Sequence, residues 1–396
     1  MFTFKNITVL ALEQALVVPY LTYRLAQDGI RVIRLERPDF GDPNRMIGDE
    51  VLGEQQMNTY YLCVNAGKKA LTLDLSKPQA RELLRELIAK LSVDIFVTNQ
   101  LPKNYDKLGI AYDLLREVKP DIIWLGVTGF GPQSNEPAYD PILQAKSGLM
   151  EMTGEPGGAP QVLGVPLPDM GSSEHAYGLL MKALFKREVT GEGSRIDLAM
   201  FESSLSWQTF PIALQSSFDK QLTRRGNTHE FFAPVSVYST RDGYVYFAVG
   251  NDQQWKRLVS LEPFCHLDLS EYEQNTGRIK DKSNLNRSLN AVCETFSSEE
   301  LIELLSSIRV PISKIQTIPE VVRDPAVQTG MLSAQDDKTG LRLHLAPPPY
   351  QTPYLQESGQ TLSFPPRFGE HNREIYSGLL GYSEDKLGDL KAKKVI

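Results

Sequence analysis

The stretch Gly164-Val165-Pro166-Leu167-Pro168-Asp169-Met170-Gly171-Ser172-Ser173 sets one carboxylate between a proline-rich turn and the start of a helix. Free N–H groups and partial positive charge at a helix N-terminus favour the ionised form of such a residue, which makes Asp169 a candidate nucleophile near neutral pH. A plain helix-capping Asp fits the same residues, and spacing alone leaves both readings open. Other chemistries find less to work with. Cys63, Cys265 and Cys293 lack the close pairing of a zinc site, and His175, His229, His266, His344 and His371 are not at metal-ligand spacings, so no metal site is expected. No GxGxxG follows the first strand, where Glu13-Gln14-Ala15 stands instead, so neither NAD nor FAD is expected.

The elements around Asp169 alternate. Ile7 to Leu12 reads as a strand, Pro19 to Asp28 as a helix ending before Gly29, and Arg31 to Glu36 as a second strand. Ala70 to Leu75, a helix capped by Ser76 and running to about Leu91, and Val93 to Thr98 repeat the pattern, and Ile122 to Val127 adds a further strand. A helix over Ser172 to Lys186 and a strand over Arg195 to Ala199 follow, with another helix opening near Phe201. Such alternation predicts an α/β fold with a mostly parallel, Rossmann-like sheet, whose ligand sites lie at the carboxyl ends of strands. Near Arg224 the texture changes: Val235 to Thr240, the turn Arg241-Asp242-Gly243 and Tyr244 to Gly250 read as a hairpin opening a smaller α+β domain. The expected domains are 1–222, 223–325 and a returning segment 326–396.

The 396 residues are too many for one comfortable core and suit two domains. With 41% hydrophobic and 23% charged residues, the composition is that of a folded soluble protein. The longest apolar runs, Val9 to Leu12 and Tyr244 to Val249, are far short of a membrane span. The N-terminus MFTFKNITVL reads as a strand rather than a leader, so a cytoplasmic location is expected. A net charge of −7 argues against general nucleic-acid binding, and an anionic ligand would need a local basic patch.

The order of short motifs along the chain resembles that of class III coenzyme A transferases, the formyl-CoA transferase-like or CaiB/BaiF-like family that also contains 2-methylacyl-CoA racemases. The motifs are Leu35-Glu36-Arg37-Pro38 with Gly41-Asp42 and Arg45; Asn65-Ala66-Gly67-Lys68-Lys69; Thr128-Gly129-Phe130-Gly131-Pro132; Tyr139-Asp140-Pro141-Ile142-Leu143-Gln144; the Asp169 segment; Gly191-Glu192-Gly193; Arg225-Gly226-Asn227; and Gly369-Glu370-His371. The resemblance spans roughly residues 7 to 380. It implies that Asp169 attacks an acyl-CoA thioester to give an aspartyl anhydride and then an aspartyl-CoA thioester. It further implies Asp140, Tyr139 and Gln144 near the reacting atoms, and Ala15, Leu16, Arg37, Leu73, Asn99, Lys107 and Met200 along bound CoA, with Arg37 and Lys107 as the cations. CoA and acyl-CoA enter as substrates rather than as permanently bound cofactors. A homodimer of interlocked rings is implied, a heteromer being the other arrangement.

Two departures bear on the substrate. The glycine-rich loop of formyl-CoA transferase is replaced by Asn227-Thr228-His229-Glu230-Phe231-Phe232, and Gln14 stands where that enzyme has His. Formate and oxalate are thereby put in doubt; succinyl-CoA with a larger or dicarboxylic acid is the expectation, with His229 or Glu230 facing the acyl group. A 2-methylacyl-CoA racemase is the rival on the same fold, but Ala138-Tyr139-Asp140 lacks the GHD-like segment with its His base. A non-catalytic subunit of a heteromeric transferase is the other rival, against which the Asp169 motif stands.

Overall fold

The computed structural model describes residues 4–396. The chain divides into two compact units: Met1–Ser147, Leu163–Ala213 and Ala326–Ile396 form the first, Gly148–Val162 and Leu214–Pro325 the second. The segment Gly148–Val162, placed by sequence in the first domain, belongs to the second unit, and the boundary expected at 222 falls at Ala213. Local bonding explains the first difference: the Arg224 guanidinium donates to the carbonyls of Gly158 at 3.0 Å and Glu151 at 3.1 Å, and Gly226 N–H donates to the Gly154 carbonyl at 2.9 Å.

The first unit is built on strands β1 (Thr8–Leu12), β2 (Arg31–Glu36), β3 (Lys68–Thr72), β4 (Ile95–Thr98), β5 (Ile123–Thr128) and β6 (Ser194–Ala199). They form one parallel sheet in the order β3-β2-β1-β4-β5-β6. Most strands are buried on both faces, and their residues alternate between two cores with the two-residue period of a strand. Leu10, Ile33, Leu35, Leu71, Phe96 and Trp124 face one core with Leu83, Leu84 and Leu87 of helix α2 (Pro78–Lys90). Val9, Val32, Ile95, Val97, Ile123 and Leu125 face the other. That second core is covered by helix α1 (Val17–Gln27) and by Ala176, Leu180 and Ala183 of the long helix Leu167–Thr190.

Between β5 and β6 lie helix α3 (Asp140–Lys146) and helix α4 (Leu167–Thr190), and after β6 come α5 (Met200–Ser206) and α6 (Thr209–Phe218). Helix α4 begins five residues earlier than the sequence suggests, because Pro168 at a first-turn position needs no N–H partner and continues the helix rather than preceding it. Asp169 is consequently a first-turn residue and not the cap. Ser76 likewise does not cap α2: Lys77 takes that place and the Ser76 hydroxyl donates to Asp74 at 2.6 Å. A hairpin of β10 (Leu332–Gln335) and β11 (Arg342–Leu345) also belongs to the first unit.

The second unit holds the antiparallel sheet β7 (Val235–Thr240), β8 (Gly243–Ala248) and β9 (Ile312–Lys314). Helices α7 (Asp252–Val259), α8 (Lys282–Cys293) and α9 (Ser298–Ser307) pack on it through Trp255, Leu258, Leu285, Leu289, Leu301 and Leu305. Among the described residues no helix is long and apolar enough to cross a membrane.

Candidate active site

Strand order reverses between β1 and β4, and in sheets of this kind the crevice outside the strand ends at that point is where ligands bind. Here the crevice is tied shut at its floor. The Thr98 hydroxyl donates to the Leu12 carbonyl at 3.1 Å, joining the ends of the two strands. One residue on, the Asn99 carboxamide accepts from Gln14 N–H at 3.2 Å and donates to the Gln14 carbonyl at 2.7 Å.

Above these ties lies a cavity of about 320 Å³ lined by residues that follow β1, β4 and β5, including Gln14, Ala15, Asn99, Gln100, Asn104 and Thr128, and by Tyr139, Asp169 and Met200. A second cavity of about 220 Å³ follows β1, β2, β3 and β4, with Leu12, Arg37, Leu73, Ser76 and Lys107 among its walls. Gln100 and Asn104 belong to both, so the two are halves of one crevice. Gly129 permits the crowding at its wall: a Cβ there would come within 2.5 Å of the Ala138 Cβ.

Asp169 is half-buried on this wall. Its backbone N–H donates to the Asp140 carboxylate at 3.2 Å, the other Asp140 oxygen accepts from the Gln144 amide at 2.6 Å, and the Gln144 oxygen accepts from Leu163 N–H at 2.9 Å. Asp140 and Gln144 are buried, line neither cavity, and brace the turn that presents Asp169. Burial, and then the negative charge of Asp140, push the Asp169 carboxyl up to about 7. The helix start was expected to keep it readily ionised; loss of water and a like charge outweigh the helix N-terminus, leaving Asp169 poised between its two forms at neutral pH. Burial also raises Asp140, against the bonds it accepts.

The remaining candidate residues separate clearly. Ala15, Asn99, Tyr139 and Met200 line the Asp169 half of the crevice, and Arg37, Leu73 and Lys107 the other half. Tyr139 is 74% exposed. Arg37 is exposed, 2.7 Å from Asp39 and stacked 4.9 Å over the Phe40 ring. Leu16 caps α1 and reaches neither half, Val17 lining the wall in its place. His229 and Glu230 belong to the second unit, where the His229 ring lies 5.0 Å from that of Phe232 and Glu230 pairs with Lys220 at 3.1 Å. Sequence reading missed Gln100, Asn104 and Thr128; the rule that functional residues follow strands pointed to all three.

A doubly wound parallel sheet, with an acidic side chain over its switch point and cations farther along the same crevice, defines an α/β protein with a ligand crevice at its switch point. More narrowly, the chain belongs to CoA-transferase family III, whose model matches residues 4–372. It is 29% identical over 397 aligned residues to succinyl-CoA:glutarate CoA-transferase of Homo sapiens, covering 99% of this chain and 89% of that protein. It is 30% identical to succinate–glutarate CoA-transferase of Agrobacterium fabrum, covering 95% of each. A CaiB/BaiF family protein from Brucella suis superposes with a TM-score of 0.82 at 28% identity, over 96% of this chain and all of that one. The protein is a CoA-transferase.

Proposed function

We propose that the protein moves CoA from succinyl-CoA to a second carboxylic acid, with Asp169 carrying the covalent intermediates. The observation that carries this reading is the crevice itself: a half-buried carboxylate pushed up to about 7 stands in one half, and Arg37 and Lys107 line the half that continues from it through Gln100 and Asn104. CoA lies along it with its phosphates toward the two cations and its thioester at Asp169. The Asp169 carboxylate attacks the thioester carbon, the C–S bond breaks, and an aspartyl-acyl anhydride and CoA thiolate result. The thiolate then attacks the Asp169 carbonyl, releasing the donor acid and leaving an aspartyl-CoA thioester. The acceptor carboxylate repeats the two steps in reverse and departs as its CoA ester. Asp140 and Gln144 act by holding the Asp169 turn, and Tyr139 flanks the thiol.

The dicarboxylic choice rests on the two glutarate-handling relatives and on the missing glycine-rich loop. A homodimer of interlocked rings is part of the same reading. Its support is apolar surface that the single chain leaves open: α6 contains no buried residue and exposes Phe210 and Phe218, while Phe185 and Val189 of α4 are 72% and 69% exposed.

The test is to incubate the protein with a panel of acyl-CoA donors including succinyl-CoA, quench with hydroxylamine, and locate the modified residue by peptide mass spectrometry. A hydroxamate on Asp169, with no exchange by Asp169→Ala, is the expected result. An unmodified Asp169 with every donor, together with exchange by Asp169→Ala, overturns the reading.

A further inference from the structure

The loop between β1 and α1 is held more firmly than a surface loop requires. Asn99 bonds both polar groups of the Gln14 backbone. Ala15 is gripped in the same way from the other side: its N–H faces the Asp42 carboxylate at 3.4 Å and its carbonyl accepts from the Asn44 amide. Ala15 takes φ +61°, the left-handed region that a residue with a Cβ avoids. Asp42 in turn is fixed from below by charges the solvent does not reach. Arg34 meets Asp42 at 2.7 Å, Arg45 grips Glu36 through two bonds of 2.6 and 2.7 Å, and Lys68 reaches Glu13 at 3.1 Å. Three acids and three bases balance there, each 4% exposed or less.

What this framework leaves free is the Gln14 side chain. It is exposed, lines the same half-crevice as Asp169, and among the described residues its carboxamide has no hydrogen-bond partner. We infer that Gln14 is a further catalytic residue of the proposed aspartyl mechanism, donating its amide N–H to the acyl oxygen, and that Asn99, Asp42 and Asn44 are positioning residues that preset its turn. As the Asp169 oxygen bonds to the thioester carbon, the carbonyl π electrons move onto the acyl oxygen; collapse returns them and expels the CoA thiolate. A hydrogen-bond donor reaching that oxygen from a fixed turn stabilises the passing charge. Asn99 thereby has a different part from the CoA contact that the resemblance implies: both ends of its carboxamide serve the Gln14 backbone.

This inference rests on the Asp169 reading, and its test separates the two. Steady-state exchange is measured with succinyl-CoA as donor and glutarate as acceptor, alongside hydroxamate trapping on Asp169. Gln14→Ala is expected to lower kcat by about 100-fold, the scale set by loss of one oxyanion donor, with the succinyl-CoA KM changed less than threefold. Asn99→Ala lowers kcat in the same direction, and Gln14→Ala with Asn99→Ala costs no more than Gln14→Ala alone, because Asn99 acts only through Gln14. Asn44→Ala also lowers kcat, and adding Ala15→Gly restores part of the loss, since glycine takes a positive φ without being held there. A kcat within twofold of wild type in Gln14→Ala, with a normal Asp169 adduct in the wild type, overturns the Gln14 assignment alone. Additive losses at Gln14 and Asn99, or no recovery with Ala15→Gly, overturn the positioning roles. No Asp169 adduct in the wild type overturns both readings.

Discussion

The chemistry of Asp169 turns on two opposed influences, and the burial that unsettles its charge has consequences that can be measured. A carboxyl held at about 7 must lose its proton before it attacks, so kcat/KM for the donor should rise about tenfold per pH unit below 7 and level off above it. Asp140→Asn removes the like charge and should move that midpoint down; an unmoved midpoint would separate the two carboxylates electrostatically. Stability follows with its own sign. An acid raised in the folded state binds more protons there than in the unfolded chain, so stability is lost as pH climbs from about 4 to 7. Asp169→Asn should therefore stabilise the protein by about 2 kcal/mol at pH 8, after discounting for the part of the carboxylate open to water, and hardly at all at pH 4. Thermal melts at the two pH values check it. One helical turn on, the Ser172 hydroxyl is wholly buried and has no bonding partner among the described residues, so Ser172→Ala should be neutral or mildly stabilising.

At the scale of elements, the sheet and its buried charges divide the labour. Apolar runs such as Val9 to Leu12 announce a strand by themselves, and β2 falls at the expected Arg31–Glu36. The start of α4 was not legible in the same way, since proline-rich Val165 to Pro168 reads equally as a turn, and nothing local says that Pro168 takes a first-turn position and carries the helix back past Asp169. The charge cluster was half legible. Glu36, Asp42, Arg45, Asn65 and Lys68 stood out as motif residues, but nothing in their spacing says that they meet one another instead of a ligand. Burial alone would raise the Glu36 carboxyl; Arg34 and Arg45 more than offset it and hold it below its ordinary value. Arg45→Met leaves Glu36 buried with one cation fewer and should cost about 3–5 kcal/mol in urea unfolding at pH 7. A loss below 1 kcal/mol would mean that water enters and the cluster is not sealed.

For the whole molecule, the two units are legible unequally. The hairpin β7–β8 marks the second unit because its turn Arg241-Asp242-Gly243 is local, whereas Gly148–Val162 joins that unit through Arg224 and Gly226, more than 60 positions away, which no local pattern reveals. Interlocked assembly makes its own prediction. Light scattering should give twice the chain mass, and mixing isotopically light and heavy protein should yield no hybrid dimers by native mass spectrometry until the chains are unfolded and refolded together. Prompt exchange of subunits would exclude linked rings.

The first unit gathers residues from both sides of the second, and its core shows how tightly. Ile375, Tyr376, Leu387, Leu390 and Val395 pack with Leu83, Leu84 and Leu87, and the Asn372 side chain bonds Thr72 N–H at 2.9 Å. On the ribosome, β1 to β6 therefore emerge long before the residues that cover them. The second unit, whose last residue is Pro325, is complete in sequence while the sheet beside the Asp169 crevice still shows an uncovered apolar face. Nascent chains stalled before residue 370 should bind chaperones through that face. The sheet that carries the crevice is thus packed on that face only once Tyr376, Leu387 and Val395 have been made.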